Sequence, residues 1–198
     1  ISEAGWATPK YYKLRELLVQ YADSAQIIPE VPAQIPVITV PEFELNEVAP
    51  LFENLPEAHS TDSIHPMEYF DQGWGTILYR TTLPEIADGT LLLVNEPHDW
   101  AQVYVDGKLI GRLDRRRGEN ILSLPSVKEG ARLDILVEAL GRVNFGEAIH
   151  DRKGITEKVQ LVGEGMEPRT LTGWNVYSFT TDAEFSADKN YRNGGKVS

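Results

Sequence analysis

The sequence predicts a mainly β chain, an antiparallel β-sandwich preceded by one amphipathic helix and a proline-rich tether. Three observations carry this. Between residues 74 and 163, short runs of β-branched and aromatic residues alternate with turn residues and show no helical period. Asp106-Gly107 stands between two such runs, the two-residue signal of a type I′ hairpin. The one convincing i, i+3, i+4, i+7 stripe lies far upstream, at Leu14, Leu17, Leu18 and Tyr21.

The helix is expected over 8–22. Thr8 suits the N-cap and Pro9 the first helical position, while Lys13, Glu16 and Gln20 fall on the polar face. From Gln26 to Pro56 the chain changes character. Prolines at 29, 32, 36, 41, 50 and 56 remove backbone donors and fix φ, so this segment reads as an extended tether with Val37 to Val40 as a candidate edge strand.

Strands follow. Thr76 to Leu83 and Thr90 to Val94 are short and β-rich, and Ala101 to Val105 and Lys108 to Leu113 flank the Asp-Gly turn. Apolar groups on both hairpin faces predict cover on both sides. Leu133, Ile135 and Val137 alternate with Asp134 and Glu138, which puts the two acids on a solvent side. Ile155 to Val162 makes another strand. After Gly173 a new stretch, Trp174 to Phe179, reads as the first strand of a further domain. The expected organisation is therefore helix 1–25, linker 26–60, β-domain 61–171 and the start of a second β-domain over 172–198.

At 198 residues the chain has room for one sandwich and something smaller. Its formal charge of −11 has the wrong sign for nucleic acid or for anionic lipid, so neither is an expected partner. No apolar run reaches the length of a membrane span. The absence of cysteine excludes disulfides and thiolate chemistry. The chain opens at Ile1 and reads as though it begins mid-protein.

Catalytic groups are hard to find. Glu3 precedes a helix, and no two carboxylates share a setting that suits a general acid and a nucleophile. Ser2, Ser24 and Ser60 lack a nucleophile-elbow context. His59, His65, His98 and His150 make no ligand spacing, so no transition metal and no cofactor is expected, while a calcium site of loop oxygens stays open. Arg115-Arg116-Arg117 reads as a solvated loop. Two constellations remain. Trp74, Trp100, Tyr104 and Trp174 lie on or beside strands and could stack on pyranose faces, or could pack a core. The second is Gly141-Arg142-Val143-Asn144-Phe145-Gly146 with its sequel Ile149-His150-Asp151-Arg152-Lys153-Gly154-Ile155, a shaped loop at a strand end.

These residues carry a resemblance. The segment Trp74 to Leu83, the Val103 to Gly111 hairpin, and above all Gly-Arg-Val-Asn-Phe-Gly with Asp-Arg-Lys-Gly-Ile resemble the β-domain of the glycoside hydrolase family 35 β-galactosidases. Ile1 to Gly5 with Thr8 to Arg15 resembles the end of that family's catalytic (β/α)8 barrel. The resemblance implies a galactose-binding-like jelly roll preceded by the barrel's final helix. It places the two catalytic glutamates upstream, which leaves this chain a non-catalytic accessory region of a retaining exo-β-galactosidase with no catalytic residue of its own. Partners would be the enzyme's own barrel and a galactoside, and the location periplasmic or secreted. In the family, an aromatic matching Phe145 reaches the rim of the sugar pocket. It is tyrosine in some members and phenylalanine here, which removes a hydroxyl contact and leaves apolar packing. Asn144 joins it as a substrate-binding candidate, and Arg142 is expected to shape the loop. The alternative is an autonomous carbohydrate-binding module with Trp74 or Trp100 as its platform.

Overall fold

In the computed structural model the described residues are 1–163, 165 and 167–179, with the backbone of 192–193. The chain divides into two units, Ile1–Leu45 and Asn46–Ser198.

The first unit holds α1 (Pro9–Tyr21). Thr8 caps it, its Oγ1 accepting from the Tyr11 amide at 3.4 Å, and Pro9 opens the first turn. No residue of this helix is buried, so the stripe of Leu14, Leu17, Leu18 and Tyr21 stays exposed. Beyond the helix the Trp6 indole donates to the Ile35 carbonyl at 2.7 Å. Val37 to Val40 forms no strand. Pro36 and Pro41 bracket it, and a proline cannot donate to a ladder.

Among its described residues the second unit is all β apart from three short 3₁₀ turns. In chain order its strands are β1 (Glu47–Val48), β2 (His59–Thr61), β3 (Gly75–Thr82), β4 (Leu91–Val94), β5 (Pro97–His98), β6 (Trp100–Val105) and β7 (Lys108–Asp114). They continue with β8 (Ile121–Ser123), β9 (Arg132–Ala139), β10 (Gly154–Ile155), β11 (Val159–Val162), β12 (Arg169–Thr170), β13 (Trp174–Phe179) and β14 (Arg192–Asn193). A six-stranded sheet runs in the order β2-β13-β3-β9-β6-β7 and a four-stranded one in the order β12-β11-β4-β8. Among the described residues every pairing is antiparallel, including the small ribbons β5-β10 and β1-β14.

One apolar core joins the two sheets. Ile77, Tyr79, Val103, Ile135 and Val137 from the larger sheet meet Leu92, Val94, Val159 and Leu161 from the smaller. The period-2 alternation of β6 and β9 supplies these inward residues. The hairpin turn is as expected: Asp106 and Gly107 both take positive φ, at 49° and 80°. Its cover is one-sided, however. Val103 and Val105 are buried, whereas Leu109 is exposed and Tyr104 packs edge-on against Phe52 with ring centroids 5.1 Å apart.

Three further expectations need correcting. The strand Trp174–Phe179 opens no new domain. It lies between β2 and β3, with Asn175 opposite Arg80 and Phe179 opposite Thr76, and buried Trp174 donates to the Leu171 carbonyl at 3.2 Å. Trp174 is therefore core and no sugar platform. Residues assigned to the linker likewise end in the sheet, because His59–Thr61 forms its edge. Asp134 is fully buried, since Arg80 and Arg132 fold over it at 2.6 and 2.9 Å and supply the counter-charge that makes burial tolerable. The rest of the expected 172–198 segment, apart from Arg192–Asn193, falls outside the described residues.

Candidate functional site

Antiparallel register brings the start of β3, the start of β6 and the end of β9 to one end of the six-stranded sheet. Gly75 stands opposite Ala139 and Trp100 opposite Glu138. Trp74 precedes β3 there, held by the buried Gln72 amide, whose Nε2 donates to the carbonyls of Trp74, Thr76 and Phe179 at 3.0, 2.9 and 3.2 Å. From Ala139 the chain leaves the sheet and returns at β10.

All ten residues from 141 to 150 are exposed. The two ends of this loop are anchored nonetheless. The pairing of His98 with Gly154 in the β5-β10 ribbon sets Asp99 opposite Lys153. Lys153 is 1 % exposed, and its ammonium donates to Asp99 Oδ2 at 2.6 Å, Asp151 Oδ2 at 2.7 Å and the Gly141 carbonyl at 3.1 Å. Asp99 also accepts from the Leu140 amide at 2.8 Å. Arg115 completes the group, its Nη1 reaching Asp99 at 2.9 Å and Asp151 at 2.7 Å. So Arg115 is no free loop cation, contrary to expectation: the short 3₁₀ turn Arg115–Arg117 aims it at two carboxylates.

Burial alone would raise the Asp99 carboxyl, but hydrogen bonds from Lys153, Arg115 and the Leu140 amide hold it below the ordinary aspartate range. Asp151 is held low against the same burial effect by Lys153 and Arg115. Both acids thus stay ionised at neutral pH with cations already on them, which suits scaffolding and suits neither proton donation nor nucleophilic attack.

The sequence-predicted residues take distinct places around this anchor. Arg142 reaches across the loop base: its Nε and Nη2 donate to the Gly73 carbonyl at 3.0 and 2.8 Å, and its Nη1 meets Glu68 at 2.7 Å and the Asp151 carbonyl at 3.1 Å. It therefore links the loop to the residue before Trp74. Phe145 is 89 % exposed and Asn144 is exposed beside it. Trp74 is exposed too, whereas the half-buried Trp100 ring lies under the Arg112 guanidinium, 5.9 Å away. Two open clefts of about 300 Å³ flank Arg152, one lined by His98, Arg115, Ala148, His150, Asp151 and Thr156, the other by His65, Pro66, Glu68 and Tyr69. Neither is lined by Trp74, Trp100 or Phe145. Among the described residues no three His, Asp or Glu side chains are grouped as metal ligands would be. Asp99 and Glu68 were not singled out by sequence, and Lys153 was named only as part of the loop motif, with no role of its own. The Asp-Arg-Lys-Gly run contained the one usable signal, a lysine directly before a glycine that must enter a ribbon.

Residues 65–180 match the family model described as "Beta-galactosidase, first all-beta domain". The chain belongs to this family. Its matched span ends just past β13, in keeping with the place of that strand inside the sheet. Relatives of this all-β domain are similar over most of the chain. A β-galactosidase of Xanthomonas manihotis is 36 % identical over 178 residues, covering 89 % of this chain and 28 % of the relative. The β-galactosidase of Macaca fascicularis is 35 % identical over 196 residues, covering 92 % and 26 %. "Beta-galactosidase-1-like protein 3" of Mus musculus is 33 % identical over 195 residues, covering 93 % and 28 %. The chain thus spans little more than a quarter of the length of the relatives it matches.

Proposed function

We propose that this all-β region is a non-catalytic part of a retaining exo-β-galactosidase, bracing the catalytic barrel and carrying Phe145 to the rim of the sugar pocket. The two glutamates that act on terminal β-linked galactose, one as acid/base and one as nucleophile, belong to that barrel and not to this chain. The two-sheet unit is a jelly roll of the galactose-binding type, and α1 is the barrel's last helix, its exposed leucines the face that meets the barrel. The similarity to β-galactosidases over about nine-tenths of this chain supports the reading.

One observation carries the substrate role: an almost fully exposed phenyl ring stands on a loop whose two ends are clamped by ion pairs. A lone ring held out in this way is a contact surface awaiting an apolar partner, and the C–H face of galactose is one. In the full-length enzyme, Phe145→Ala should lower kcat/KM about five- to thirty-fold, the equivalent of roughly 1–2 kcal/mol for a part-buried ring. The folding stability of this chain should change by no more than about 0.5 kcal/mol, as for an exposed residue. Unchanged kinetics would remove Phe145 from the site.

A further inference from the structure

We infer that Lys153 is a positioning residue for Phe145, an internal staple that fixes the mouth of the 140–153 loop; the inference rests on the rim role given to Phe145 above. All ten residues of 141–150 are exposed, and of them the Arg142 guanidinium ties the loop to Gly73 and Glu68. The loop's geometry must come from its two bases, and one ammonium group joins them. Lys153 Nζ holds the Gly141 carbonyl on the outgoing side and Asp151 on the returning side, together with Asp99 from the bend joining β5 to β6. A lysine has three ammonium protons, and here each has an acceptor within 3.1 Å. The backbone of Lys153 is fixed in turn: its amide donates to Glu68 Oε1 at 3.0 Å and its carbonyl accepts from the Met67 amide at 2.8 Å. Glu68 also takes the Arg142 guanidinium, so both clamps of the loop share one carboxylate.

A lysine that only stabilised the sandwich would have no reason to reach the Gly141 carbonyl. Two carboxylates and two cations already make a neutral group with Arg115. The third bond ties that group to the loop's first turn, four residues from Phe145. Groups that position a contact at a reacting centre act through small displacements, and a shift of about 1 Å is enough to lose a rim contact.

The test is a double-mutant cycle in the full-length enzyme, Lys153→Met with Phe145→Ala, read as kcat/KM on an aryl β-galactoside. Lys153→Met alone should cost about as much as Phe145→Ala, roughly five- to thirty-fold, and the double variant should fall no more than about two-fold below the worse single one. Losses that multiply, or a Lys153→Met enzyme that melts earlier but turns over normally, would overturn the inference. A normal Phe145→Ala enzyme would instead overturn the rim role itself. Should Lys153→Met fail to fold, amide exchange on the unaltered chain decides the matter. Leu140 and Lys153 should then be protected like the β9 strand while residues 143–148 exchange fast, and equal exchange across the whole loop would refute the staple.

Discussion

Gly154→Ala is expected to destabilise the chain by about 3–5 kcal/mol, as backbone strain and overpacking combine. Gly154 has φ of +83°, where a Cβ is strained whatever the space. Space is lacking as well. A methyl group there would run into the Tyr79 hydroxyl and approach Met67 Cγ at 3.1 Å. Neither neighbour can give way. Tyr79 is buried, and its hydroxyl donates to the His65 carbonyl at 2.9 Å while accepting from the Ile155 amide at 3.2 Å. Burial pushes its phenol well above the ordinary range, so it stays protonated and keeps both bonds. Urea unfolding should show the midpoint of Gly154→Ala falling with an unchanged slope. Added to Tyr79→Phe, the second substitution should cost less than it does alone, because the clash has lost its hydroxyl. Strict additivity would mean that the contact is not the cause.

Asp99→Asn comes second, at about 3 kcal/mol near neutral pH, because it leaves the buried Lys153 ammonium to share one carboxylate with the more exposed Arg115. Its pH dependence is the sharper signature. Asp99 and Asp151 are held below the unfolded aspartate value of about 3.9, so in acid the unfolded chain binds more protons than the folded one. Their stabilisation is fully present above that value and is lost as pH falls through the folded pKa values. The difference between the native chain and Asp99→Asn should therefore be largest above about pH 5 and shrink steadily below pH 4. A gap that stays constant from pH 7 to pH 3 would show that the substitution acts through shape and not through charge.

Much of the β architecture was legible because it is local. The alternation of Leu133, Ile135 and Val137 and the Asp106-Gly107 turn each prescribe their own geometry, and the structure shows both. What failed was pairing across sequence. Trp174 to Phe179 reads the same whether it opens a domain or completes a sheet, and only the register with Arg80, 95 positions earlier, tells them apart. Charge failed for a related reason. Asp134 alternates with apolar neighbours as a surface residue would, and the pattern cannot show that Arg80 from another strand covers it. Lys153 sits inside the very motif that carried the family resemblance, yet its partner Asp99 is 54 positions away and belongs to no motif. The loop itself was readable from its composition; its anchoring was not.

The proposed non-catalytic role requires that this chain hold no hydrolytic centre of its own. Incubating the purified chain with an aryl β-galactoside measures that directly. The expected result is no release of the aryl group above the buffer rate, since Asp99 and Asp151 are tied to Lys153 and Arg115 and Asp134 to Arg80 and Arg132. Saturable turnover that co-purifies with the chain, survives rigorous removal of host β-galactosidase and disappears with substitution of one of its own carboxylates would contradict it.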